Sequence, residues 1–137
     1  MGLILDTSVL IASERRGDTV KQTIERVRSA CGDKESALSA ISVVELTHGI
    51  YRAKTDADRV RRKAFSDELW RDLIVHPVSL AIAQLAGRIE GEQAANGITI
   101  AFEDLIIGAT ALHLGFDVAT LNVKHFRLIP GLKITTL

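Results

Sequence analysis

Four side chains able to bind a hard cation or move a proton recur at comparable places in this chain: Asp6, Glu45, Asp104 and Asn122. Asp6 closes the short apolar run Leu3-Ile4-Leu5, Glu45 lies just past a second run at Ala37 to Ile41, and Asn122 follows a third at Asp117 to Leu121. Asp104 opens a segment, reaching Gly115, that is apolar almost all round. Carboxylates brought close together repel, so at neutral pH they coexist only with protons or a cation. Oxygen ligands without a thiolate or a histidine cluster select Mg²⁺ or Mn²⁺. Such an ion can activate a water and neutralise charge growing on a phosphate in transit. Ser8 and Thr120 are supporting candidates, placed to hold waters or to touch the acids from behind.

Each of these residues also has a plainer role when taken alone. Asp104 in a first helical turn is favoured by the helix dipole; Glu45 three residues after Ser42 fits a capping box; Asp6 could simply end its strand. What those roles leave unexplained is why all would fall on one rim, and the elements around them supply the reason. Leu3 to Leu5 reads as a buried strand. Thr7 or Ser8 caps a helix through Val9 to Glu14, Gly17-Asp18 restarts a second one carrying Val20, Ile24 and Val27, and Ala37 to Ile41 is the next strand. Ala53 to Asp72 is helical and highly charged, Leu73 to His76 is a strand ended by Pro77, and Ser79 caps a helix that Asn96-Gly97 terminates. Asp104 to Gly115 is a core helix, Asp117 to Leu121 a strand, and Leu132 to Thr136 the last strand. Strands separated by helices argue a parallel sheet with helices on both faces. In such sheets ligands bind beyond the carboxyl ends of the strands.

The bulk properties fit one soluble domain. The chain has 137 residues, 47% of them apolar, with 17 basic and 17 acidic side chains, enough to bury a sizeable core without a disulfide or structural metal. Cys31 is the only cysteine, which suits a reducing cytoplasm. The N-terminus lacks a basic leader region and soon becomes charged, so no signal peptide is expected. No apolar run approaches the roughly 18 residues of a membrane span. The zero net charge hides a stretch from Arg52 to Lys63 with six basic residues against Asp56 and Asp58. Arg52, Arg59, Arg61 and Arg62 are its candidates for steering a polyanion, although a solvated helix face is the plainer account of them.

Other chemistries find less support. His48, His76, His113 and His125 lack zinc-site spacing and read as surface or packed histidines. Ser8 lacks a nucleophile elbow, and Gly87, Gly91 and Gly97 form no phosphate-cradling loop. Phe65 and Trp70 read as core rather than as a base-stacking platform.

Four blocks in order carry a family resemblance: Ile4-Leu5-Asp6-Thr7-Ser8; Ser42-Val43-Val44-Glu45-Leu46 with Gly49; Asp104-Leu105-Ile106-Ile107-Gly108-Ala109-Thr110-Ala111; and Ala119-Thr120-Leu121-Asn122 leading to His125-Phe126. Together, from residue 3 to about 131, they resemble PIN-domain proteins, and more narrowly the VapC toxins of bacterial type II toxin–antitoxin pairs. The resemblance implies a single PIN-like α/β domain over residues 1–137, three-layered, with a central mostly parallel sheet. It further implies a Mg²⁺- or Mn²⁺-dependent endoribonuclease, commonly acting on structured RNA such as tRNA, neutralised by a VapB-like antitoxin and often homodimeric. By position, Asp6, Glu45 and Asp104 match the family's metal-binding acids, and Asn122 falls where some members carry a fourth acid. Glu103 neighbours Asp104, but adjacent helix residues point about 100° apart, which favours Asp104 as the ligand.

Two rival readings remain open at this level. A Mg²⁺-dependent phosphatase or phosphoacceptor domain would also place Asp6 after the first strand, but it wants a further acid near that position, where this chain has Ser8. An inactive PIN scaffold that only binds RNA or a partner would keep the fold without the cleavage.

Overall fold

The computed structural model describes all 137 residues. Its elements run β1 (Gly2–Leu5), α1 (Thr7–Arg16), α2 (Val20–Cys31), β2 (Glu35–Ser39), α3 (Ala40–Tyr51), α4 (Asp56–Asp72), β3 (Ile74–His76), α5 (Leu80–Ala95), α6 (Phe102–Leu114), β4 (Asp117–Thr120), α7 (Val123–Phe126) and β5 (Ile134–Thr136). The five strands form one sheet in the order β3-β2-β1-β4-β5. Every neighbouring pair is parallel, so the expected mostly parallel sheet is parallel throughout.

Successive side chains of a strand point to opposite faces, and that alternation divides the core in two. Leu3 and Leu5 of β1, Leu38 of β2 and Ala119 of β4 pack with Val9, Leu10, Val20, Val27, Phe65 and Leu69 from α1, α2 and α4. Ile4, Ala37 and Val118, one residue out of phase, pack with Ile82, Ala86 and Ile89 of α5 and with Leu105, Ile106, Ile107, Ala109 and Ala111 of α6. Each fully buried Leu, Ile or Phe contributes about 1.5–3 kcal/mol by leaving water. The apolar character of α6 is explained by its burial from Leu105 to Ala111. A side chain at Gly108 would collide with Ile129, so glycine at that position lets the chain after α7 lie against the helix.

The strand order creates a switch point. From β1 the chain steps outward to β2 and β3, then returns through α5 and α6 to place β4 on the other side of β1. Gly115, in a left-handed conformation with φ 70°, ends α6 and turns the chain directly into β4. At such a reversal the connections leave on opposite faces and open a crevice at the carboxyl ends of the two central strands. Asp6 follows β1 there, and Thr120 ends β4.

Most boundaries differ from the sequence expectation by one to three residues, and those next to the site matter most. The second strand lies two residues earlier, at Glu35–Ser39, and α3 starts at Ala40 with Ser39 as its N-cap, its hydroxyl accepting from the Ile41 amide at 3.3 Å. Ser42, expected to cap this helix, is instead fully buried within its first turn. The first helix is preceded by Asp6 rather than capped by Thr7 or Ser8. The short α7, after Asn122, has no counterpart in the sequence expectation, because four residues are too few for a helical period to show.

Candidate active site

Asp6 sits at the junction of β1 and α1, 4% exposed, with its amide donating to the Ala119 carbonyl of β4 at 2.9 Å. Although it occupies the N-cap position, its carboxylate caps nothing. Ser8 Oγ donates to Asp6 Oδ2 at 2.7 Å and Thr120 Oγ1 donates to the same oxygen at 2.8 Å. The two hydroxyls leave Oδ1 without a protein partner. Ser8 also accepts from the Leu121 amide at 3.2 Å, and Thr120 from the Asn122 amide at 2.8 Å. The supporting roles expected for Ser8 and Thr120 are therefore direct bonds to Asp6.

The earlier start of α3 changes the reading of Glu45. It lies in the second turn of that helix rather than at a capping-box position, so capping does not account for it. Its Oε1 accepts from Thr7 Oγ1 at 3.0 Å across the gap between α1 and α3. Burial pushes the Glu45 carboxyl above the usual carboxylate range; the Thr7 hydrogen bond opposes this, while the charges of Glu103, Asp6 and Asp104 add to it.

Asp104 stands in the first turn of α6 with its side chain 14% exposed. Burial raises its carboxyl as well, the Asp6 charge adds to that, and His125 counteracts it. His125 Nδ1 lies 3.3 Å from Asp104 Oδ2. The structure thus brings Asp6, Glu45 and Asp104 into one mutually repelling group at the carboxyl edge of the sheet. Glu103, on the neighbouring helical position, is exposed but near enough to act on both Glu45 and Asp104. Asn122 is exposed on the same rim, two residues after the Thr120 that binds Asp6.

The donor set suits a hard divalent cation, since it consists of carboxylate oxygens whose repulsion a cation would relieve. No three His, Cys, Asp or Glu side chains close into a ready-made cage. Each of the three acids is turned to its own partner, Asp6 to Ser8 and Thr120, Glu45 to Thr7, and Asp104 to His125.

A cavity of about 130 Å³ adjoins Glu45, bordered by Glu14, Gly49, Arg62 and Phe65. The basic stretch reaches the site only there. Arg62 donates to the Gly49 carbonyl at 2.7 Å, Arg61 pairs with Glu14 and Asp58 at 3.0 Å each, and Arg59 pairs with Asp56 at 3.4 Å. Arg52 is exposed in the connection between α3 and α4.

Two residues at the site have roles that the sequence pattern does not reveal. Thr7 reads along the chain only as a helix cap, and its contact with Glu45 spans 38 positions. His125 reads as a surface or packed histidine and is exposed like His48 and His113, while His76 packs edge-on against Phe116 with ring centroids 6.0 Å apart, but only the fold sets His125 beside Asp104. Its position three residues after Asn122 is the available signal. Phe65 is buried and Trp70 packs against the same core, as expected.

Comparison with known proteins places the chain among PIN-domain proteins. The PIN domain family model matches residues 3–131. Ribonuclease VapC1 of Rickettsia felis is 34% identical over 136 residues, covering 99% of this chain and 96% of the relative. Ribonuclease VapC of Rickettsia bellii is 32% identical over 137 residues, covering 99% and 96%. Among solved structures, VapBC2 from Rickettsia felis bound to a DNA fragment from their promoter superposes with a TM-score of 0.85 at 20% identity, covering 100% of this chain and 99% of that one. DNA-bound VapBC from Salmonella typhimurium gives 0.83 at 24% identity, covering 99% and 98%. At these identities the structural likeness shows the fold.

Proposed function

The chain belongs to the PIN domain family, and from that premise we propose that it is an endoribonuclease toxin of the VapC kind, held inactive by a VapB-like antitoxin and dependent on Mg²⁺ or Mn²⁺. Relatives named as VapC ribonucleases cover nearly the whole chain, and the similar folds come from VapBC pairs. The observation that carries the chemistry is the group Asp6, Glu45 and Asp104, with two of its carboxyls raised by burial and mutual repulsion.

Asp6, Glu45 and Asp104 are the residues that would hold the ion, with Asn122 on the rim beside them. When bound, the ion supplies a water of lowered pKa and neutralises charge on the scissile phosphate. Ser8 and Thr120 fix Asp6 by binding one of its oxygens, which leaves the other available. Glu45 or Asp104, at the edge of the acid group, would accept the proton of the attacking water. The water oxygen bonds to phosphorus as the P–O3′ bond breaks, and the leaving oxygen takes a proton from solvent. The products are a 5′-phosphate and a 3′-hydroxyl. Structured RNA such as tRNA is the substrate class; Arg62 beside the cavity at Glu45 and exposed Arg52, Arg59 and Arg61 are the residues assigned to its backbone.

Two further parts of the reading concern assembly and location. Val44 and Tyr51 are 63% and 75% exposed on α3, apolar surface that a homodimer would cover. No helix is long and apolar enough to cross a membrane, and Cys31 is a free thiol, which suits a cytoplasmic site of action.

The test is cleavage of a total tRNA pool by the purified chain with Mn²⁺, with EDTA, and with Asp6→Asn alongside. Metal-dependent cuts that vanish in the variant support the reading. Cleavage that survives EDTA or the substitution removes it.

A further inference from the structure

Thr7 stands between two residues already assigned to the site, yet its hydroxyl serves neither of them. Ser8 turns toward Asp6 and β4, whereas Thr7 Oγ1 reaches α3, lying 3.0 Å from Glu45 Oε1 and 3.1 Å from Ser42 Oγ. A threonine hydroxyl carries one proton. A carboxylate is the stronger acceptor, so the proton goes to Glu45 and pins one of its two oxygens. The donor is itself well anchored: Thr7 is 3% exposed and begins α1 directly after Asp6, whose amide is tied to β4. Glu45 has a long, rotatable side chain on a half-buried face, with Thr7 as its only hydrogen-bond donor. Nearby Glu103, Asp6 and Asp104 repel it.

From this geometry we infer that Thr7 is a positioning residue, which holds Glu45 Oε1 and thereby presents Oε2 as the oxygen available to the ion. This inference rests on the metal-dependent reading above. It makes the turn Asp6-Thr7-Ser8 a fork: Ser8 braces the acid of the first strand, and Thr7 braces the acid of the third helix. Hydrogen-bond partners behind metal ligands orient those ligands and tune their affinity.

The deciding comparison is Thr7→Ala against Thr7→Ser, because both lose the methyl group and they differ only in the hydroxyl. Mn²⁺ affinity is measured by electron paramagnetic resonance of the free ion, alongside the kcat and KM of RNA cleavage. Thr7→Ala is expected to weaken Mn²⁺ binding about 10–100-fold and to lower kcat with little change in KM, while Thr7→Ser stays close to the unsubstituted protein. In a Glu45→Ala background, which removes the acceptor, the alanine substitution should add nothing further. Equal Mn²⁺ affinity in Thr7→Ala and Thr7→Ser overturns the inference, as does an undiminished alanine effect in the Glu45→Ala background. A protein that binds Mn²⁺ in this hydroxyl-dependent way but leaves RNA intact would sink the nuclease reading while supporting the role of Thr7.

Discussion

Thr120 Oγ1 donates to Asp6 Oδ2 at 2.8 Å across 114 positions of sequence. The bond exists because β4 returns to lie beside β1, with Ala119 in register with Leu5, so the residues after those two strands meet at one rim. Ser8 donates to the same oxygen. The convergence of two hydroxyls on Oδ2 determines which oxygen of Asp6 is free to act.

Replacing Thr120 by valine keeps the shape and removes both the donor to Asp6 and the acceptor of the Asn122 amide. Hydrogen bonds to a buried charged group contribute about 1.5–3 kcal/mol, so urea unfolding should show a loss of that order. RNA cleavage should fall about 10–100-fold. Ser8→Ala, at a half-buried position, should cost less stability. If Thr120→Val matched the unsubstituted protein in both measurements, the bond would have no functional weight.

The raised carboxyls of Glu45 and Asp104 mean that the fold is held together against their charge. An acid that binds its proton more tightly when folded still carries it at pH values where the unfolded chain has released it. Stability therefore falls as pH rises from the ordinary carboxylate range through the raised one, and the cost persists at neutral pH. Without metal, Glu45→Gln should melt above the unsubstituted protein at pH 7 and approach it near about pH 4, while cleavage is lost. Calorimetry at both pH values checks this, and a lower melting temperature at pH 7 would contradict it.

Binding of a cation should reverse the same cost. Mn²⁺ at about 100 times its dissociation constant stabilises a one-site protein by about 2.7 kcal/mol, visible as a rise in melting temperature that EDTA abolishes. Asp6→Asn should lose most of that rise. A melting temperature indifferent to Mn²⁺ would remove the metal from the site.

The basic residues divide by what they already hold. Arg61 is committed to Glu14, which is 8% exposed, and to Asp58, so Arg61→Ala should lower the melting temperature by stranding a buried carboxylate. Arg52 and Lys54 are exposed and form no ion pair. Their double alanine variant should keep its stability and flatten the dependence of RNA binding on salt, by about one unit of slope for each phosphate left without its cation. An unchanged slope would place the RNA elsewhere.

Much of this is legible locally. Apolar runs ended by Asp6 and by Asn122, and an apolar helix opened by Asp104, are patterns within a few residues, and burial of both helix and strands follows from them. Glu45 stands out by its position past the second strand, although the cap of its helix is Ser39 and not the expected Ser42. The two serines are one turn apart and both fully buried; Ser39 accepts from the Ile41 amide and caps the helix, while Ser42 lies within the first turn beside Thr7. The hydroxyl that holds Glu45 and the imidazole beside Asp104 leave no local trace, since neither residue shares a helical turn with its partner.

By itself, then, the sequence determined the succession of strands and of the longer helices, α7 excepted, and which acids would follow strand ends, since both depend on residue types and spacings along the chain. The strand order was decided only in three dimensions, where burying α1, α2 and α4 on one face and α5 and α6 on the other requires β4 to return beside β1. That return sets Thr120 against Asp6, and the packing of α3 against α1 sets Thr7 against Glu45. Hydrogen bonds act over about three ångströms, so which oxygen each acid keeps free is a property of the packed chain alone.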